Sequence, residues 1–444
     1  MGLASPQRIV AFLLTVLMAA GVLSATATAS LKEPLNAEQS DPRTLGWMQG
    51  FPPPVEKRIT QPDSNFFSFP KLRWSVCHMR ELLPTAAIPR AIDHYAPLPE
   101  ALIASIDQLQ FTPTGTSTPI SWQESLAANY TDGLLVLHRG KVVYESYRGC
   151  LGPQQHHAAM SMTKSITGLL AEMLIAQGQL DESVLVGQLI PALQGSAFAN
   201  ATVRQVMDMT TALQYSEDYA DPNADIWQYS AAANPLPKPA DYQGPVGYFE
   251  YLMTVRAAGE HGKVFGYKTV NSDVLGWVLS TVTGKPYHQL VSELVWQPLG
   301  MQQDAYVTVD GLGTPFAGGG ISATLRDLGR LGQALLDATL GKPGIIAPEL
   351  ARSIQAGGDQ AAFVAGFSSL TGGSYRSMWW VFHNPHQAFA ARGVHGQTIY
   401  IDPTAEMVIV RLASHPVASN SANDATSLPA YQALAEFLLQ QNPD

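Results

Sequence analysis

Residues 156–181 read HHAAMSMTKSITGLLAEMLIAQGQLD, and the fold turns on Ser161-Met162-Thr163-Lys164 within them. A Ser-x-x-Lys at the start of a helix is a nucleophile with its own base. Residues three apart on a helix share a face, with Cβ atoms about 5–6 Å apart, so the Lys164 amine reaches the Ser161 hydroxyl. In a first turn, the unpaired N–H groups and the positive dipole end favour negative charge developing at Ser161. A serine hydroxyl needs a base at neutral pH, and a free lysine, with a pKa of about 10.4, is mostly protonated. Burial or a second cation has to lower that value, so the motif predicts a dry, crowded pocket. The plain alternative is a solvated helix lysine, and the surrounding sequence has to decide between the two.

Outward from this stretch, the helix is expected to run to about Gln177, with Gly178 as its stop. Upstream, GLLVLHRGKVVYESYRG (133–149) is two β-rich runs around Arg139-Gly140, a hairpin signal. Downstream, residues 181–340 alternate helical patterns with loops. VRQVMDMTTAL (203–213) reads as helical, and residues 218–245 as one long Pro/Asn/Asp/Tyr-rich loop, a kind more often functional than idle. NSDVLGWVLSTVTG ends at Gly284, and SATLRDLGRLGQALLD places Thr324 and Asp327 like a capping box. β character returns in SMWWVFH, GVHGQTIYIDP and EMVIVRLAS, before a last helix, LPAYQALAEFLLQQ. Trp379 and Trp380 alternate across a strand, one toward a pocket and one toward the core. Strands at both ends with helices between predict an α+β fold, an antiparallel sheet flanked by helices with an inserted helical lobe. The expected α/β lobe comprises 71–180 with 341–444, and the helical lobe 181–340.

Before the body come a leader and an arm. Arg8, the apolar run Ile9–Leu23 and the small residues at 25–29 read as a secretory signal peptide over 1–29. Cleavage leaves about 415 residues, enough for a large two-lobed domain, outside the membrane and periplasmic or secreted. Residues 30–70, with Pro52-Pro53-Pro54, read as an extended arm lying over the body. Hydrophobic content of 46% with 14% charged residues describes a globular protein with a large core. A net charge of −10 without a basic cluster excludes nucleic acid as a partner. Cys77 and Cys150, the only cysteines, are bound for an oxidising compartment where pairing is permitted. Sequence leaves a disulfide and two buried thiols both open. No ligand spacing indicates a metal site.

Four separated segments now point the same way: Ser161-x-x-Lys164, Tyr267 in GKVFGYKTVNSDVLGWVLSTVTG, FAGGGISATLRDLGRLG (316–332) and ARGVHGQTIYIDP (391–403). Their order resembles serine β-lactamase-like hydrolases of the class C, S-x-x-K type. LRWSVCHMRELLPTAAIPR (72–90), QYSEDYADP (214–222) and SMWWVF (377–382) are similar to 6-aminohexanoate-dimer (nylon-oligomer) hydrolases and class C-like carboxylesterases. The resemblance spans roughly 70 to 440 and implies the β-lactamase/transpeptidase-like fold. It also implies Ser161 as nucleophile, Lys164 as its base or relay, and Tyr267 as the tyrosine that takes and returns the proton. A phenol beside an ammonium is expected to have a lowered pKa. The ARGV segment matches the K-T-G-x strand, which makes the Ser161 and Val394 N–H groups the implied oxyanion hole. Gly393 is expected to keep the strand open to substrate, and His395 either lines the pocket or is structural. Tyr219 matches a tyrosine that closes over the substrate and hydrogen-bonds the scissile amide; loop packing is its alternative.

Two departures qualify the likeness. Thr269 stands where class C enzymes carry the asparagine of Y-x-N, and Ala391-Arg392 replaces Lys-Thr, so β-lactam turnover is not implied. NADIWQYS (223–230) does not obviously carry the acidic residue expected to meet a substrate's amino end. The expected activity is that of a serine hydrolase, an amidase or carboxylesterase, cleaving small-molecule esters or linear amides through an acyl-enzyme, with no metal or organic cofactor. A cell-wall D,D-peptidase or weak β-lactamase shares the same machinery. A non-catalytic ligand-binding relative of the fold is the alternative of another class.

Overall fold

The computed structural model describes residues 34–60, 65–219 and 221–441. The signal-peptide reading of 1–29 lies outside these residues. Among the described residues no helix is long and apolar enough to cross a membrane.

Two antiparallel sheets organise the chain. Their strands, in chain order, are β1 (Thr85–Ile88), β2 (Thr131–His138), β3 (Lys141–Tyr147), β4 (His157–Ala158), β5 (Ala305–Thr308), β6 (Ile321–Ala323), β7 (Ser374–Arg376), β8 (Trp379–Val381), β9 (Phe389–Gly393), β10 (Gln397–Asp402) and β11 (Met407–Ala413). The larger sheet runs β7-β8-β9-β10-β11-β2-β3, and the smaller runs β1-β5-β6-β4. The helices needed below are α1 (Met162–Ala176), α2 (Asp225–Ala233), α3 (Gly247–Thr254), α4 (Val270–Thr283), α5 (Leu325–Thr339) and α6 (Ser421–Gln441).

The hairpin β2–β3 forms as its sequence predicts. His138 pairs with Lys141, and Arg139 and Gly140 between them both have positive φ, 50° and 78°. Two left-handed residues match the twist of the flanking strands. The central strands are buried on both faces, because successive side chains point to opposite sides. Leu135, Leu137, Ile399, Ile401, Val408 and Val410 face one core, while Leu134, Val136, Tyr400 and Ile409 face another with Tyr431 and Leu434 of α6. The first core holds α1, of whose 15 residues 13 are buried. A helix buried nearly all round packs inside the protein, and the polar side chains it buries, such as Ser165, Thr167 and Glu172, are hydrogen-bonded. Close approach has a steric cause. A Cβ on Gly168 would lie 1.9 Å from the Ser377 carbonyl oxygen, so only glycine lets α1 pack there.

Four expectations change. Helix α5, placed by sequence in the helical lobe, packs on the large sheet against β2, β10 and β11. Its buried stripe of Leu325, Leu328, Leu331, Leu335 and Leu336 needs that apolar face, so the lobe boundary falls before it. Thr324 caps this helix and donates its hydroxyl to Asp327 at 2.6 Å, but that carboxylate does not take the Thr324 N–H, so the box is incomplete. The Asp327 carboxylate also accepts from the N–H groups of Gln302 and Gln303. The segment 218–245 is not all loop, since Ile226, Tyr229, Ala232 and Ala233 give α2 a buried face. The arm is not simply extended either: Pro42–Leu45 and Val55–Lys57 form short helical turns, and Ile59 packs with Trp74 and Leu82. Cys77 and Cys150 form a disulfide, closing a 73-residue separation and resolving the alternative left open above.

Candidate active site

Ser161 is the N-cap residue of α1, and Lys164 lies one turn on, facing the same way. The Lys164 amine is 3.0 Å from the Ser161 hydroxyl and 2.5 Å from the Gly318 carbonyl oxygen. It is 1% exposed, and among the described residues no carboxylate lies within ion-pair distance of it. Burial pushes its pKa below the usual lysine value, while the negative charges of Glu217 and Asp273 pull it back up. Asp273, on α4, accepts a hydrogen bond from the Tyr229 hydroxyl at 2.6 Å and one from the Gly318 N–H at 3.2 Å. Its buried carboxyl is raised above the ordinary range by loss of solvation. The Lys164 side chain is thus enclosed by protein on nearly every side.

Tyr267 completes the group. Its ring stacks on Trp380 with centroids 5.4 Å apart, and the Lys164 amine lies 5.3 Å from its centroid. The Ser161 hydroxyl acts on the phenol in the direction that favours its ionised form. Its pKa moves in the direction opposite to that expected from sequence. Burial and the charge of Glu217 raise it, and together they outweigh the Ser161 hydroxyl and the charge of Arg392. The phenol therefore stays protonated. Neither tryptophan of β8 lines the cavity: Trp380 backs Tyr267, and Trp379 donates its indole N–H to the Ser165 carbonyl at 3.0 Å.

The end of β9 lies against the start of α1. A Cβ on Gly393 would stand 2.8 Å from the Ala159 carbonyl and 3.0 Å from the Ser161 nitrogen. Glycine is needed here for contact with the nucleophile turn, not to hold the strand open to substrate. That contact sets the Val394 main chain beside that of Ser161, and both residues line the same cavity. Among the described residues, neither N–H has a turn or loop carbonyl as its acceptor. His395 follows in a left-handed conformation (φ 64°), buried, with its N–H on Ala418 and its Nδ1 2.7 Å from the His415 carbonyl. Burial pushes its pKa down to about 4, so the ring is neutral. It both walls the cavity and fixes the backbone after Val394.

A Beta-lactamase family model matches residues 125–432. The chain belongs to the Beta-lactamase family. It is 35% identical over 351 residues to the 6-aminohexanoate-dimer hydrolase of Paenarthrobacter ureafaciens, covering 78% of this chain and 86% of that one. Among solved structures it is similar to a Bacillus anthracis protein provisionally assigned as a 6-aminohexanoate-dimer hydrolase. That match has a TM-score of 0.77 at 30% identity and covers 86% and 97% of the two chains. A D-stereospecific amidohydrolase from Streptomyces shares the fold, with a TM-score of 0.51 at 17% identity over 69% and 97% of the chains.

Within this Beta-lactamase family chain, the departures noted in the sequence have clear structural outcomes. Ala391 is buried, and Arg392 turns away from the cavity to pair with Asp424 over the face of Trp380. Thr269 donates its hydroxyl to Glu217 at 2.5 Å, and its N–H also meets that carboxylate. The Tyr219 hydroxyl donates to the same carboxylate at 3.0 Å, while its ring, 41% exposed, meets Trp227 edge-on. Glu217 thus lies at the centre of the substrate-side loop, and sequence reasoning passed over it inside QYSEDYADP. Its partner Thr269 is 52 residues away, so no local pattern signalled it. Asp273 and Tyr229 were missed for the same reason. Among the described residues, Cys77, Cys150 and His157 are the one group of three possible metal ligands, and its two sulfurs are bonded to each other.

Proposed function

We propose that this Beta-lactamase family protein is a serine hydrolase that cleaves amide or ester bonds of small molecules through an acyl-enzyme, as the name of its Paenarthrobacter relative suggests for amides. The observation that carries the reading is a buried lysine amine 3.0 Å from a serine hydroxyl, with no carboxylate among the described residues within ion-pair distance. Neutral Lys164 accepts the Ser161 proton as Oγ attacks the carbonyl carbon. The Ser161 and Val394 N–H groups receive the oxyanion. Collapse of the tetrahedral intermediate expels the leaving amine or alcohol, which takes the Tyr267 proton while the phenol recovers one from Lys164. Water then attacks the acyl ester by the reverse relay and releases the acid. Tyr219, carried on the loop with Glu217, contacts the bound substrate from the opposite wall.

Cleavage of a nitrophenyl ester and of the linear 6-aminohexanoate dimer, with Ser161→Ala as blank, tests this. The expected result is loss of turnover in the variant and a fluorophosphonate adduct on Ser161 in the parent. Turnover retained by Ser161→Ala would sink the assignment. Stable acylation by a fluorescent penicillin would instead favour the D,D-peptidase or β-lactamase reading. Export to the periplasm or medium is part of the same proposal, supported by the disulfide. N-terminal sequencing of the secreted or periplasmic fraction checks it, and a chain retaining residues 1–29 in the cytoplasm overturns it.

A further inference from the structure

The cavity above Ser161 has a volume of about 800 Å³, within the range of small-molecule sites. Its chemistry is one-sided. Among the described residues that line it, Lys164 is the sole lysine, arginine, aspartate or glutamate, and His395 there is neutral. The nearest carboxylates are already engaged, Glu217 by Thr269 and Tyr219, and Asp273 by Tyr229 and Gly318. Arg392, which might have met an anion, pairs with Asp424 instead. Most of the rest of the wall is aromatic and aliphatic, including Trp227, Leu236, Phe316, Met79 and Leu83, and its polar side chains, such as Ser68, Ser230 and Asn234, are uncharged.

The arm supplies part of that wall. Phe66, Phe67 and Phe69 all line the cavity. Phe67 sits edge-on to the His395 ring at 5.8 Å, and Phe69 edge-on to Tyr130 at 5.7 Å. The Phe66 carbonyl accepts from the Ser75 hydroxyl at 2.6 Å, which ties the segment to the body.

A substrate end bearing an ammonium or a carboxylate would lose its hydration here and meet neutral polar groups, with Lys164, the one cation of the described lining, already held at Ser161. An anionic end would also face the field of Glu217 and Asp273. We propose that the cavity takes an uncharged, predominantly apolar ester or amide, whose apolar part seats against the arm phenylalanines. This rests on the hydrolase reading above. It sets the chain apart from the substrate in its relatives' names, since a linear 6-aminohexanoate dimer carries a charge at each end.

Four nitrophenyl esters test the inference on the purified protein: acetate, hexanoate, the adipate monoester with its terminal carboxylate, and 6-aminohexanoate with its terminal ammonium. The hexanoate is expected to exceed both charged esters of equal chain length in kcat/KM by at least about 100-fold. It should also exceed the acetate, by about fourfold for each methylene that reaches the wall. A charged ester within about tenfold of the hexanoate overturns the proposal. Phe67→Lys is expected to raise the adipate-to-hexanoate ratio at least about tenfold, and the ratio does not depend on how much protein folds. An unchanged ratio removes the arm from the binding wall. Should no ester be cleaved, the hydrolase reading falls by itself. The same ranking is then measured by calorimetry with the corresponding anilides, and equal binding of charged and neutral chains overturns the proposal there.

Discussion

Arg73 and Lys164 are two cations buried in one molecule, and their surroundings differ. Arg73 is 2% exposed and fully partnered. It pairs with Asp132 at 3.0 Å, donates to Ser414 at 3.1 Å and Ser40 at 2.9 Å, and reaches the Ala37 carbonyl. Asp132 in turn accepts from Ser414 at 2.5 Å and lies 3.3 Å from His157. This cluster ties the arm to β2 and to the loop after β11. Lys164 is as deeply buried, yet its contacts are a hydroxyl and a carbonyl, both neutral. A buried charge with its counter-ion keeps its charge and holds structure. One without a counter-ion gives up its proton more easily, and beside a serine that is a base.

Exchanging each cation for methionine separates the two roles. Lys164→Met removes the base and fills nearly the same volume. The expected loss in kcat is about 10³–10⁴-fold, with thermal stability unchanged or raised, since an unpaired buried charge is replaced by a hydrophobe. A folded Lys164→Met protein retaining a tenth of parental activity would break the comparison. Arg73→Met takes the guanidinium from the buried Asp132, leaving it only Ser414 and His157, so the expected cost is about 3–5 kcal/mol in denaturant unfolding. Here kcat per folded molecule should hold, because no atom of that cluster lines the cavity.

Tyr267→Phe gives a smaller effect and sharpens the reading of the proton path. The ring still stacks on Trp380, so the fold is expected to persist. Loss of the phenol should lower kcat on a linear amide about 100-fold. The loss on a nitrophenyl ester should be much less, because nitrophenolate leaves without needing a proton. Equal losses on both substrates would place Tyr267 in the attack step instead.

Legibility in the sequence followed the distance over which each contact acts. Ser161 and Lys164 are neighbours within one turn, and the Arg139-Gly140 hairpin and the Gly284 stop are also local, so residue type and spacing announced them. Val394 and Gly393 needed a resemblance, because the approach of β9 to α1 joins segments more than 200 residues apart. Glu217 was invisible because an acidic residue in a loop says nothing until Thr269 is placed against it. The direction of the Tyr267 shift was misjudged for a physical reason. A neighbouring ammonium was counted, while the burial that neutralises that ammonium also raises the phenol. Helix α5 was misplaced because its sequence shows an apolar stripe without showing which surface that stripe meets.

The smallest expected effect tests the electrostatic account most directly. Lys164 has to be unprotonated to accept the Ser161 proton, and its folded pKa lies below the ordinary value of about 10.4. On a neutral ester, kcat/KM should therefore rise about tenfold per pH unit below that folded value and level off above it, before the ordinary lysine range. The same shift acts on stability. Between the folded and unfolded values the unfolded chain holds a proton that the native state has released. Native stability therefore increases with pH across that window, by at most about 1.4 kcal/mol per unit relative to Lys164→Met. Below the folded value both states are protonated, and the full cost of burying the ammonium is present. Glu217→Gln removes one of the two charges that hold the value up, so the activity midpoint should move to lower pH. A midpoint that stays put or moves upward would mean that Glu217 acts on substrate or on the loop and not on Lys164.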